Sequence, residues 1–271
     1  MRNPLWKVCI GLLWLIAGCN GSDPGPVVCR PHGLQFGFDS TVYRYNDQKR
    51  IATVDYYSTG LRLKEDLFTY NSNGQLIKVE KEYINYDGTR ATLAIHSITY
   101  DDIGLPTELD SESANGHVNT KFTHNDDGKL SLAETLAGNQ NEFVVGSTRY
   151  EYDDRKNVTK VFYTIRMSGK FQEVLARENS SFDDKEKYYV NVPELKITNE
   201  YIYGYLPSKN NCLISNVIYY SYTQHFSSPV TVNFSVTYDE SGVIKSLQNA
   251  VASDQYFSGD VLFTNATFSC F

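Results

Sequence analysis

One short unit recurs along this chain: an aromatic-x-aromatic pair, then Asn or Asp, a few polar residues that often include Gly, and an aliphatic run. The copies are Tyr43-Arg44-Tyr45-Asn46 leading to Ile51, Phe68-Thr69-Tyr70-Asn71-Ser72-Asn73-Gly74 leading to Leu76, and Ile98-Thr99-Tyr100-Asp101-Asp102-Ile103-Gly104. Three more are Phe122-Thr123-His124-Asn125-Asp126-Asp127-Gly128 leading to Leu130, Tyr150-Glu151-Tyr152-Asp153-Asp154, and Val236-Thr237-Tyr238-Asp239-Glu240-Ser241-Gly242 leading to Ile244. The second ring position is filled in turn by Tyr45, Tyr70, Tyr100, His124 and Tyr152, a near-regular spacing that suits one β-hairpin per unit. Phe182-Asp183-Asp184 continues the series at the same interval, and the longer gap from there to Tyr238 leaves room for one degenerate copy around Leu206 to Tyr222.

The residue types explain the shape. Rings and β-branched residues alternate with polar ones before each turn, the period of a half-buried strand. Asn or Asp then opens the turn by capping backbone amides, and the Gly near its end accepts positive φ without steric cost. The predicted turn-forming positions are Asn71, Gly74, Asp101, Gly104, Asn125, Gly128, Asp153, Asp239 and Gly242. Lys49 and Lys156 stand where glycine is expected, so those two turns are either strained by about 1 kcal/mol or built differently.

Strand-like runs follow the turns at Leu76-Ile77-Lys78-Val79, Leu130-Ser131-Leu132 and Val158-Thr159-Lys160-Val161. The 21 tyrosines suit ladders in which rings pack along a sheet and hydroxyls reach water. The expected fold is all-β, an antiparallel meander of repeated hairpins forming a twisted, curved sheet; closure into a barrel or half-barrel, or two stacked sheets, are the other ways to manage its edges. No long helix is predicted. Asp183 to Tyr205 is the least regular stretch, and Asp184-Lys185-Glu186-Lys187 reads as a turn or short helical segment.

The N-terminus has a different character. Arg2 and Lys7 precede an apolar run from Val8 to Trp14 that closes with Leu15, Ile16, Ala17, Gly18 and Cys19, the order of a secretory signal and too short for a stable anchor of roughly 20 residues. Ile16-Ala17-Gly18-Cys19 resembles the lipobox of bacterial lipoproteins, which implies cleavage before Cys19 and its acylation. Residues 1–18 are then the signal peptide, the Pro/Gly-rich 19–28 a flexible tether, and 29–271 the repeated hairpin domain. Acyl chains contribute about 0.8 kcal/mol per buried methylene, so such a lipid holds a polar domain at a membrane. The expected location is the cell envelope, at the outer membrane.

With Arg2 and Lys7 removed, 23 basic and 32 acidic residues leave a net charge of −9, which disfavours nucleic acid as a partner. Cys29, Cys212 and Cys270 remain in the mature chain. Either one disulfide forms, with Cys29 and Cys270 the pair that would tie the domain's two ends together, or all three stay reduced.

The repeat units resemble the YD-type repeats of bacterial surface proteins, and the chain as a whole is similar to uncharacterised YD-repeat-like lipoproteins of the Bacteroidetes. The resemblance rests on the lipobox, the Tyr-Asn/Asp-x-x-Gly units, Phe182-Asp183-Asp184-Lys185 followed by Tyr188, Ser208-Lys209-Asn210-Asn211, and the closing aromatic strand Phe263 to Phe271. Lys49, His124 and Lys156 depart from the pattern. It implies an exported, membrane-anchored β-sheet protein and brings no catalytic residues.

Nothing in the sequence assembles a reaction centre. His32, His96, His117, His124 and His225 are dispersed without metal-ligand spacing. The acid pairs Asp101-Asp102, Asp126-Asp127, Asp153-Asp154 and Asp183-Asp184 fall in the repeat turns, where capping explains them better than glycoside hydrolysis. No nucleophile elbow, phosphate loop or dinucleotide fingerprint occurs. The expectation is a non-enzymatic, lipid-anchored scaffold or binding protein without cofactor or metal, its partners the membrane and an envelope protein or glycan. The alternative is a surface module that binds carbohydrate or another ligand through its rings.

Overall fold

A computed structural model describes residues 29–137, 143–167, 169–218, 230–240, 242–249 and 265–270. Cys19, the signal and the tether lie outside them. Twelve strands follow one another first: β1 (Cys29–Phe36), β2 (Asp39–Tyr45), β3 (Ile51–Ser58), β4 (Leu61–Tyr70), β5 (Leu76–Ile84), β6 (Arg90–Tyr100), β7 (Pro106–Ser113), β8 (Gly116–His124), β9 (Leu130–Ala137), β10 (Phe143–Tyr152), β11 (Val158–Met167) and β12 (Lys170–Glu186). An insertion with one α-helical turn, α1 (Pro193–Ile197), and one π-helical turn (Thr198–Ile202) precedes β13 (Asn210–Val217), β14 (Val230–Tyr238), β15 (Ile244–Asn249) and β16 (Asn265–Cys270). All pair antiparallel in sequence order from β1 to β15, and β16 returns to pair with β1. The meander thereby becomes a nearly closed 16-stranded barrel with a seam between β15 and β16. Side chains bridge that seam: Ile244 and Leu247 share one core with Leu34, Ala266 and Phe268.

Two kinds of turn alternate, which gives the barrel two different ends. At one end lie the five-residue Asn/Asp turns, each with the first residue's N–H donating to the carbonyl of the fifth and the fourth residue's N–H donating back. The Asn71, Asp101, Asn125, Asp153 and Asp239 side chains also accept from the amide of the fifth turn residue, at 2.8–2.9 Å. Gly74, Gly104, Gly128 and Gly242 have φ between 71° and 87°. Lys49 (φ 58°) and Lys156 (φ 70°) adopt the same left-handed conformation, so of the two possibilities for these turns the strained one holds. The opposite end carries short links such as Gly37-Phe38, Thr59-Gly60 and Ala114-Asn115. It also carries one unpredicted copy of the Asn turn, Asn85 to Thr89, with Gly88 at φ 83°.

The repeat tyrosines point into the barrel, contrary to the expectation that their hydroxyls reach water. Tyr70, Tyr100 and Tyr152 each donate a 2.6 Å hydrogen bond to the carbonyl of Ile51, Leu76 and Leu130, the residue that opens a strand after the preceding repeat's turn. Tyr45 donates likewise to the Pro31 carbonyl. A phenol brings a large apolar ring into the core and satisfies its own O–H on backbone there, which a solvated ladder would not require.

The irregular stretch departs from its expected form as well. Residues 183–186 continue β12, and the helical turns lie further on, because Pro193 fits the first helical position. Residues 187–209 enter the barrel from the Asn/Asp-turn end. Val192 and Leu195 join one core with Leu34, Tyr43, Ile51 and Val54, while Tyr201 and Leu206 join the other with Leu76, Val79, Ile98 and Leu130. Barrels of this strand number enclose an aqueous channel when unfilled; here the insertion serves as a plug.

On β2 to β6 the outward residues form an ionic ladder. Val54 and Tyr56 face the interior, so Asp55 between them faces out, where it accepts from Arg44 (2.6 Å) and Arg62. Arg62 also reaches Glu65, and Arg90 joins Glu65 to Glu82 at 2.7 Å. This ladder crosses the adjacent strands β2 to β6. A membrane-spanning barrel needs an outward apolar band about 25 Å tall; across β2 to β6 the outward face carries ion pairs instead. No helix among the described residues is long and apolar enough to cross a membrane.

Candidate functional site

The plug stops short of the short-link end and leaves a cavity of about 600 Å³ there, lined by β1 to β6 and by Asn199, Tyr203 and Tyr205 of the insertion. Alternation along each strand sets its walls. In β3, Tyr56 shares the inward face with Val54; in β4, Asp66 shares it with Phe68; in β5, Lys81 shares it with Val79. Leu34, Phe36, Tyr43, Leu63 and Leu93 supply apolar surface.

The polar centre is a carboxylate clasped by two phenols. Tyr56 and Tyr203 donate to the same oxygen of Asp66, Oδ2, at 2.8 and 2.7 Å, and the two hydroxyls are 3.1 Å apart. Asp66 is 2% exposed. Burial raises its carboxyl above the ordinary range, opposed by Lys81 and by the two phenol hydrogen bonds. The same burial lowers the Lys81 ammonium, which Asp66 partly restores, and lifts both phenols well above their usual value. The Lys81 Nζ rests 4.2 Å from the centroid of the Tyr203 ring, a cation–π contact that holds it against the cavity floor. Asn199 is buried, and its Nδ2 has no hydrogen-bond partner among the described residues.

The repeat also explains how the plug is seated. His124 occupies the place of a repeat tyrosine and, instead of reaching a backbone carbonyl, its Nε2 lies 3.0 Å from the Tyr201 hydroxyl of the plug, whose ring meets Phe122 edge-on at 4.9 Å. Arg30 fastens the other side through Glu194 at 3.3 Å. Ser208 accepts from the Val158 amide, and Asn157 accepts from the Asn210 amide, both at 2.8 Å.

The turn residues singled out from sequence are collected at the plugged end, away from the cavity. Asp66, Lys81, Asn199 and Tyr203 were not among the expected site residues; the first two read as ordinary strand charges, and only an unpaired polar residue on a core-facing period could have flagged them. Cys29 stands opposite Cys270 in the β1–β16 register and is disulfide-bonded; the side chain of Cys270 lies outside the described residues. Cys212 is a buried thiol 3.5 Å from Asn179 Oδ1. Among the described residues, exposed rings do not form a platform on a sheet face. Phe38 and Tyr86 are at hairpin tips and Phe171 beside one, all at the cavity end. Among the described residues no group of His, Cys, Asp and Glu is arranged to hold a metal.

No protein-family model matches the chain, and no curated protein does. Among solved structures, the chain is similar to a porin-like protein from Bacteroides uniformis, with 13% identity over 90% of this chain and 95% of that one at a TM-score of 0.47. It is similar also to the Tc holotoxin pore of Photorhabdus luminescens, with 13% identity, 80% of this chain against 12% of that one and a TM-score of 0.34. A third is a DUF3836 family protein from Bacteroides vulgatus, with 10% identity, 36% of this chain against 98% of that one and a TM-score of 0.22.

Proposed function

We propose that this chain is a non-enzymatic, lipid-anchored protein of the bacterial outer membrane, of the YD-repeat-like lipoprotein kind, whose solvated barrel holds a small molecule in its open end. The observation that carries the binding reading is the cavity itself: groups from three strands and the plug converge on one apolar-walled space, of a size within the usual range of ligand sites, about 300–1,000 Å³. A scaffold offering only its outer sheet would have no use for a buried carboxylate, a lysine and an unbonded amide at its floor. The charged outer face supports a barrel in water, tethered rather than inserted. Cys29 opens β1 at the plugged end, so the lipid at Cys19 would hold that end toward the membrane and turn the cavity outward from it.

Two measurements test the two halves. Intact mass and membrane fractionation of the native protein beside Cys19→Ala should show acyl mass and outer-membrane pelleting for the first and neither for the second; an unacylated native protein would end the anchoring claim. Native mass spectrometry of protein purified gently from its host should show a retained small molecule that is lost from a Ser58→Trp variant, in which an indole on the inward face of β3 fills the cavity mouth. Identical spectra for the two would count against the binding claim.

A further inference from the structure

Resting on the cavity-binding reading, the inventory of unmet groups at the floor narrows what the ligand is. The strongest acceptor there is already engaged: Asp66 Oδ2 takes two phenol hydrogens. At the rim, Glu82 is ion-paired with Arg90 at 2.7 Å, and Asp39 stands exposed to water at the mouth, away from the buried floor. The donors are in the opposite condition. Asn199, 4% exposed, has an Nδ2 without a partner among the described residues, and a buried amide left so costs about 1–3 kcal/mol. Among the described residues the Lys81 ammonium forms no salt bridge and rests on the face of Tyr203. A second lysine, Lys64, lines the same space.

A ligand that completes this site therefore brings acceptors, and more of them than donors. A neutral sugar brings hydroxyl donors in equal number, and at the buried floor the acceptor that could take them is Asp66, which already holds two phenols. A cation would face Lys81 and Lys64. The rest of the wall asks for an apolar body, through Leu34, Phe36, Leu63 and Leu93. We infer that the cavity binds amphipathic carboxylates, the carboxylate meeting Lys81 Nζ and Asn199 Nδ2 and the apolar body lying along the leucines and Phe36. Asp66 does not oppose this strongly, since its charge is shared with the two phenols and its burial favours the protonated form.

The test uses the full acylated chain in nanodiscs with three water-soluble probes of one shape, 4-phenylbutyrate, 4-phenyl-1-butanol and 4-phenylbutylamine, and with cellotriose, followed by ligand-observed NMR and calorimetry. The acid is expected to bind at least about tenfold more tightly than the alcohol, with the amine weaker still. Lys81→Met should abolish the preference for acid over alcohol while alcohol binding persists and the far-ultraviolet circular dichroism stays native, which separates a lost contact from a lost fold. If the alcohol, the amine or cellotriose binds as tightly as the acid, the carboxylate assignment is wrong and the binding reading stands. If none of the four binds, both fall.

Discussion

Lysine at a left-handed turn position is a defect whose removal can be evaluated from the structure. Lys156 has φ 70°, the conformation that Gly128 adopts at φ 71° in the equivalent turn. An L-residue there costs about 1–2 kcal/mol, and glycine gives back about 0.5–1 kcal/mol of this through its freer unfolded chain. Lys156→Gly should therefore stabilise the protein by about 0.5–1 kcal/mol, or about 1–4 °C in melting temperature for a domain of this size. The Lys156 side chain is exposed and its carbonyl still accepts from the Lys209 amide, so nothing else is lost. Gly128→Ala is the mirror experiment. An added Cβ there would meet nothing nearer than Leu105 Cδ1 at 3.7 Å, an ordinary contact, so its cost of about 0.5–1 kcal/mol reports backbone alone. Urea unfolding at constant m measures both. A neutral or destabilising Lys156→Gly beside a destabilising Gly128→Ala would refute the shared turn geometry.

Tyr100→Phe removes a 2.6 Å bond to the Leu76 carbonyl inside the barrel and should cost about 1 kcal/mol, with Tyr70→Phe matching it; an unchanged urea midpoint for both would mean that the phenols are merely apolar filler. His96, beside Ser111 at 2.9 Å, is pushed down to about 4 by burial and by Lys81. It stays neutral when folded while the unfolded chain protonates, so stability should fall as pH drops from 6.5 toward about 4, and His96→Gln should flatten that limb. Asp66 acts with the opposite sign: its folded carboxyl titrates above the unfolded 3.8, so its contribution declines as pH rises from 3.8 through the raised value. Asp66→Asn should remove that decline, and a variant with the native pH profile would show that the carboxylate is solvated.

The features legible in the chain alone are local. The Asn71 and Asp101 side chains each bond amides further along their own turn, so hairpin turns, strand periods and the all-β antiparallel class could be read within short windows of sequence. Even the departures were informative, because Lys156 keeps the turn its neighbours dictate and His124 marks where the plug docks. Closure was decided elsewhere: β16 finds β1 from the opposite end of the chain, a pairing set by edge burial that no local pattern encodes. The plug and the cavity likewise depend on tertiary structure. Asp66 and Tyr203 are far apart in the chain and hydrogen-bonded in the fold, and Asp66 looks like any strand acid until burial removes its water and leaves two phenols in its place. Turn chemistry acts through neighbours in the chain, whereas desolvation depends on everything that surrounds a group, and only the folded barrel supplies that.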